Sequence, residues 1–179
     1  MKIGVVSDSH KNLAHLRKAV ELIIKEGAEY IIHLGDDYKD AEILKEYPLM
    51  CLRVPGVFCP EYFNREIKNR IIEEISAVKI LITHTLSSHK NDQKEDLVPE
   101  EVIRNKEVNL VLFGHTHLYE IKKEGDILMF NPGHLQEIMT KGRSATFGIV
   151  AIDDKKIACT VFDLEGNKIL DEMVDRHSP

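Results

Sequence analysis

Cysteine is scarce and tryptophan is absent. Cys51, Cys59 and Cys159 are the three thiols in 179 residues, and no two share a C-x-x-C spacing. An odd count without that spacing excludes a disulfide framework and a thiolate zinc site. It leaves reduced thiols, with Cys51 and Cys159 expected in strands as small hydrophobes. Long apolar runs are also missing, and none approaches the ~20 residues of a membrane span. The N-terminus reaches Asp8 after a short apolar stretch, without the longer apolar core and cleavage site of a secretory signal. The expected compartment is the cytoplasm, with no membrane contact. Positive charge is short too: 24 Lys+Arg against 30 Asp+Glu give a formal net charge of -6. Such a surface repels a long polyanion on average, and no basic stripe offers a local nucleic-acid grip.

What remains is an ordinary folding composition. Hydrophobic residues at 43% and charged residues at 30% exclude a disordered chain. With about 100 to 200 residues per domain as the usual range, residues 1–179 are expected to form one domain. Neither repeats nor low-complexity tracts suggest a boundary, and oligomeric state is not legible.

Apolar periodicity sorts the first half into alternating elements. Residues 2–6 read as a strand, and Asn12 can cap a helix with Leu13, Leu16, Val20, Ile23 and Ile24 on one face and Gly27 as a stop. Residues 30–34 and 50–54 read as buried strands, with a short helix over 40–47 ended near Pro48. This is a βαβαβ opening with parallel strands. Residues 60–62 read as loop, 70–75, 78–83 and 109–113 as strands, and Pro99 as the first turn of a helix through Val102 and Ile103. From Tyr119 onward helix signals nearly vanish. Strands are expected over 119–123, 127–130, 146–152, 156–162 and 168–173, joined by hairpin turns at Glu124-Gly125-Asp126, Asp153-Asp154 and Glu165-Gly166-Asn167. A largely antiparallel second portion packed on the first would give a layered α/β sandwich.

Several strands end in the same chemical style. Ser7-Asp8-Ser9-His10, Gly35-Asp36-Asp37, His84 and Gly114-His115-Thr116-His117 each follow an apolar strand directly. Parallel sheets gather their carboxyl ends on one edge, so these side chains are expected to meet. Asp8 and His10 are two apart, as are His115 and His117, and an extended backbone would point each pair to one side. Carboxylates mixed with imidazoles suit manganese, iron, zinc, nickel or cobalt better than calcium or magnesium. Six donors exceed the three or four that one catalytic ion takes from protein, so two ions with a bridging carboxylate are the economical reading. A lone Asp-x-His is ordinary turn chemistry and loop histidines are common, so the inference rests on joint occurrence. His15 is expected on the polar side of the first helix, His33 as a packed ring within a strand, and His177 in a polar tail.

Together with Asn131-Pro132-Gly133, these residues resemble the calcineurin-like metallophosphoesterases, in particular the small branch holding bacterial and archaeal phosphodiesterases and a related retromer subunit. The resemblance spans nearly the whole chain. It implies a β-sandwich flanked by helices and a dinuclear centre in which Asp8, His10, Asp36 and His117 hold one ion. Asp36, His84 and His115 would hold the other, with Asp36 as the bridge. Two divalent ions are implied, manganese first, with nickel, iron, zinc or cobalt as alternatives. In such a centre the pair sits about 3.5 to 4 Å apart, clamps phosphate oxygens and lowers the pKa of water, which becomes the nucleophile in place of a serine or cysteine.

Two departures from the family pattern stand out. Gly56-Val57-Phe58-Cys59 occupies the place of the usual Gly-Asn-His or Gly-Asn-Cys, so the asparagine ligand is missing, and Cys59 lies near the usual cysteine position. His84-Thr85-Leu86 lacks the second histidine of the common His-Gly-His. Glu61, His89 and His134 are candidates to supply the missing contact or a proton, against the alternative that each is an ordinary loop side chain. Lys11, Lys90 and Arg143 could meet phosphate or simply be solvated. The expected activity is hydrolysis of a small phosphorylated substrate, a diester first. The alternative is a non-catalytic interaction module on the same scaffold.

Overall fold

The computed structural model describes residues 1–176; His177 lies outside the described residues. The opening follows the periodicity closely: β1 (Lys2–Val6), α1 (Leu13–Lys25), β2 (Tyr30–His33) and β3 (Met50–Arg53), with β1 parallel to β2 and β2 parallel to β3. Asn12 caps α1 by accepting the backbone N–H of His15 at 3.2 Å, and Leu16, Ala19, Val20 and Ile23 form its buried stripe. Leu13 stays exposed at the open end of that stripe. The short helix expected before Pro48 is instead a run of 3₁₀ turns, Tyr38–Glu46. Its buried Ala41 and Leu44 recur three residues apart, the repeat that eclipses in a 3₁₀ helix.

The remaining elements are β4 (Arg70–Ile75), β5 (Val78–Thr83), α2 (Pro99–Arg104), β6 (Leu110–Leu112), β7 (Glu120–Glu124), β8 (Ile127–Asn131), β9 (Thr146–Ile152), β10 (Lys156–Asp163) and β11 (Lys168–Asp175). The expectation of a separate antiparallel second portion is corrected in one respect: the late strands divide between two sheets. One sheet runs β11-β10-β9-β1-β2-β3 and the other β4-β5-β6-β8-β7. β9 joins the first sheet antiparallel to β1, whereas β8 lies parallel to β6 in the second. β8 is buried at all five positions, as suits a strand covered on both faces between neighbours.

The two sheets pack face to face over a core that includes Ile3, Val5, Ile32, Ile80, Ile82, Leu112, Phe130 and Val161. Alternate residues of the same strands point outward. Val6, Ile31 and Ile149 pack with Leu16, Val20 and Ile23 of α1, while Leu81, Val111 and Met129 pack with Val102 of α2. The result is a mixed α/β sandwich of two sheets with helices outside, as the periodicity predicts. Cys159 is a buried member of the central core and Cys51 is half-buried on β3.

Candidate metal centre

The carboxyl ends of β1, β2, β5, β6 and β8 open onto one rim, and the six candidate ligands lie in the loops leaving four of them. Asp8, His10, Asp36 and His117 each present one ligand atom within 4.8 Å of the others, a set able to hold a metal ion. His10 Nε2 is 2.6 Å from Asp36 Oδ2, His117 Nε2 is 3.2 Å from Asp8 Oδ1, and the two imidazole Nε2 atoms are 3.1 Å apart. His84 and His115 adjoin this group. His84 Nε2 lies 3.9 Å from Asp36 Oδ1 and 3.3 Å from His115 Nδ1. The two oxygens of Asp36 therefore face different histidines, His10 on one side and His84 on the other.

The paired ligands do not sit on the extended backbone that their spacing predicts. Asp8, His10, His115 and His117 are not extended; all four are left-handed, with φ of 50°, 46°, 68° and 60°. Non-glycine residues adopt this region rarely and at a cost, and such conformers cluster at functional sites. Each pair converges because both of its members turn back, not because a strand alternates.

Glycines let the loops approach. A Cβ on Gly114 would stand 1.9 Å from Ser7 Oγ and 2.7 Å from Asp8 Oδ2, and one on Gly56 would stand 2.6 Å from the Asp36 Cα. Asn131 braces the histidine loop: its side-chain amide donates to Gly114 O at 2.9 Å and to Thr116 Oγ1 at 3.1 Å, while its Oδ1 accepts the Gly133 N–H. These bonds explain the Asn-Pro-Gly motif as a clamp on the Gly114-to-His117 turn.

Electrostatics favour a cation. Asp8 is fully buried; its Oδ2 accepts from the Ser7 hydroxyl at 2.5 Å and the His115 N–H at 3.0 Å. Its Oδ1 is buried without an aligned hydrogen-bond partner, although the His117 ring is beside it. A buried carboxylate oxygen left over in this way calls for a positive group, and four convergent donors fit a divalent ion. Burial works to raise the Asp8 carboxyl, but His117, His84 and the Ser7 hydroxyl outweigh it and hold it below the ordinary value. Asp36 behaves alike, with His10 and His84 overcoming its burial. The contact with Asp36 raises His10, whereas burial and the neighbouring His84 lower His115. His84 Nδ1 donates to Leu34 O at 2.7 Å, which leaves Nε2 as the lone pair facing the centre.

Other candidates separate clearly. His134 is buried with both ring nitrogens engaged: Nδ1 accepts the Gln136 N–H at 3.2 Å and Nε2 meets Arg143 O at 3.3 Å. It has no free lone pair to replace the missing asparagine. Glu61 pairs with Lys39 at 3.6 Å, and Cys59 lies with Val57 and Tyr62 in an apolar cluster. His89 does reach the His115 side, its ring centroid 6.4 Å from that of His115. Lys11 and Lys90 are exposed, while Arg143 stacks over Tyr119 at 3.9 Å and donates to its carbonyl. His15 is half-buried and bonds Leu135 O. Sequence reasoning missed Gln136, whose side-chain amide lies 3.1 Å from His117 Nδ1 and whose Oε1 accepts from Thr140. No motif marks it.

His33 is the packed, hydrogen-bonded ring expected. Nδ1 accepts the Gly35 N–H and Nε2 meets Ser9 Oγ, which in turn donates to Asp40, so the chain ties the β1 and β2 loops together. Burial pushes its pKa down to about 4 from 6.5. Because the unfolded chain then takes up the proton first, His33 contributes fully above pH 6.5, and its contribution is lost as pH falls through 4. Urea unfolding in the presence of a chelator should show wild type losing about 2 to 3 kcal/mol more than His33→Gln between pH 7 and pH 4.5. Equal losses would contradict this reading of His33.

The sequence profile of the calcineurin-like phosphoesterase superfamily domain matches residues 1–155, and the chain belongs to that family. Phosphodiesterase MJ0936 of Methanocaldococcus jannaschii is 27% identical over 136 residues, covering 71% of this chain and 80% of that protein. Among solved structures, the phosphoesterase YfcE of E. coli matches at a TM-score of 0.69 and 22% identity, over 96% of this chain and 98% of that one. Vps29 of Entamoeba histolytica, complexed with zinc, matches at 0.67 and 19%, over 98% and 99%.

Proposed function

We propose that residues 1–179 form one metallophosphoesterase domain that hydrolyses a small phosphodiester with a pair of divalent ions, manganese first among them. The observation that carries this is the convergence of Asp8, His10, Asp36 and His117, each with one ligand atom within 4.8 Å of the others, around a buried Asp8 Oδ1 that faces the His117 ring. Those four residues would hold one ion, and Asp36 with His84 and His115 the other. Ions bound there would supply Lewis-acid charge to the phosphate and acidify water. The protein's own part is to orient: Ser7 and the His115 N–H fix Asp8, Leu34 fixes the His84 ring, and Asn131 holds the loop that carries His115 and His117. An open cleft of about 480 Å³ beside His10, lined by Lys11, Asn12, Gln136 and Ile138 among others, leaves room for one arm of the substrate.

The phosphodiesterase relative supports this reading. Among the described residues no helix is long and apolar enough to cross a membrane, a statement that leaves β-barrels aside. We place the protein in the cytoplasm, acting on a small soluble substrate. A second reading, a protein-interaction module, is favoured by one observation. Val57, at the place of the usual asparagine, is buried in an apolar cluster and offers no donor; the Vps29 neighbours share the fold. Elemental analysis of the purified protein, followed by assays on bis-p-nitrophenyl phosphate and p-nitrophenyl phosphate with added manganese or nickel, separates the two. Bound metal with ion-dependent diester turnover is expected. No metal and no turnover under any ion would leave the interaction module.

A further inference from the structure

The loop that departs from the family pattern places an aromatic ring at the rim of the site. Phe58 is 66% exposed. It is nevertheless held firmly. The Cys59 N–H closes a turn onto Gly56 O at 3.0 Å, the Asn91 amide donates to Val57 O at 2.9 Å, and Val57 is anchored in its cluster with Cys59 and Tyr62. His89 stands perpendicular to Phe58, at 5.5 Å between centroids and 88° between planes. Phe58 is in turn 6.3 Å from the ring of His115. Phe58, His89 and His115 therefore form a three-ringed corner against the side of the centre where Asp36, His84 and His115 lie. His89 is itself fixed, its N–H on Asp92 Oδ2 at 2.9 Å and its Nδ1 accepting from Asn91.

We infer that Phe58 is a stacking platform for a flat aromatic group on one arm of the phosphodiester, so that the preferred substrates carry a nucleobase rather than only aliphatic alcohols. This rests on the phosphodiesterase reading of the same site. A phosphate held at the centre would send its two ester arms outward in divergent directions, set by the tetrahedral angle at phosphorus. One arm would have the cleft beside His10 open to it, and the other would have the Phe58 ring within reach, 6.3 Å from that of His115. Stacking on an aromatic face is indifferent to which base is present, because every base has a π-face. The platform therefore selects the class of substrate and not the particular base.

The test compares two diesters whose leaving groups are both unactivated alcohols: a deoxydinucleoside monophosphate and glycerophosphoethanolamine. Each is assayed with the manganese-loaded enzyme, and the readout is the ratio of their kcat/KM values. Wild type should favour the dinucleotide. Phe58→Ala should lower the ratio about tenfold, within the range that base stacking supplies, and Phe58→Tyr should restore it. A ratio in Phe58→Ala within twofold of wild type, or a wild-type preference for the glycerol diester, would overturn the platform while leaving the phosphodiesterase reading intact. Failure of wild type on both diesters while it still cleaves bis-p-nitrophenyl phosphate would overturn the platform alone, and failure on all three with any metal would overturn the phosphodiesterase reading and the platform with it.

Discussion

Asp36→Ala should lower kcat/KM for the proposed phosphodiester hydrolysis by about 10³-fold or more, because several kcal/mol of charge stabilisation at the phosphate would be withdrawn at once and each 1.36 kcal/mol is tenfold. Asp36 is singled out because its two oxygens face the two halves of the site, Oδ2 toward His10 at 2.6 Å and Oδ1 toward His84 at 3.9 Å. No other carboxylate among the candidate ligands faces both halves in this way. Removing it should release metal from both positions, which elemental analysis reads directly. The fold should survive, since Asp36 is only half-buried and lies in a loop beyond β2. Circular dichroism that stays unchanged while metal content and turnover collapse is the expected pattern. Turnover within tenfold of wild type would remove Asp36 from the site's chemistry.

The largest effect on stability is expected away from the metal ligands, at Arg70. Its guanidinium is almost completely buried and lies 2.9 Å from Asp92 and 4.0 Å from Asp96, with further bonds to Thr83, Thr85 and the Leu97 carbonyl. Asp92 also accepts from the Tyr62 hydroxyl at 2.5 Å and from the His89 N–H, so a single cation organises the loop that carries His89. Arg70→Met fills similar volume but leaves the carboxylates without their cation. The expected cost is about 3 to 5 kcal/mol of unfolding free energy, the usual range for removing one member of a buried pair. Arg70→Lys should recover only part of it, because an ammonium cannot reproduce the planar fork of bonds. A urea-unfolding difference below about 1 kcal/mol for Arg70→Met would show the pairs to be screened by water.

How much was legible in the sequence follows from where each kind of information resides. Strand and helix positions in the first half came directly from apolar spacing, because parallel strands buried on both faces are nearly continuous apolar runs. The meeting of the candidate residues at one rim was legible because they stand in the loops that follow such runs, and a parallel sheet gathers those ends by its topology. The left-handed backbone of Asp8, His10, His115 and His117 was not, since aspartate and histidine enter that region more often than other side chains but far less often than glycine. The division of β7 to β11 between two sheets was equally hidden, for periodicity reports which face is buried and not which neighbour a strand pairs with. Arg70 read as the polar start of a strand, and Gln136 as a loop residue. Their roles depend on partners far along the chain or on a loop that no motif marks. The tight run of 3₁₀ turns at Tyr38–Glu46 reads as an α-helix in the sequence because the two periods differ by little over so few residues.

Crystals grown with manganese and measured at an anomalous wavelength would locate the ions themselves. Two peaks are predicted in each chain, one enclosed by Asp8, His10, Asp36 and His117 and one against His84 and His115, with Asp36 touching both. An empty rim, or manganese bound only at surface carboxylates elsewhere, would contradict the metal centre on which the proposed hydrolysis depends.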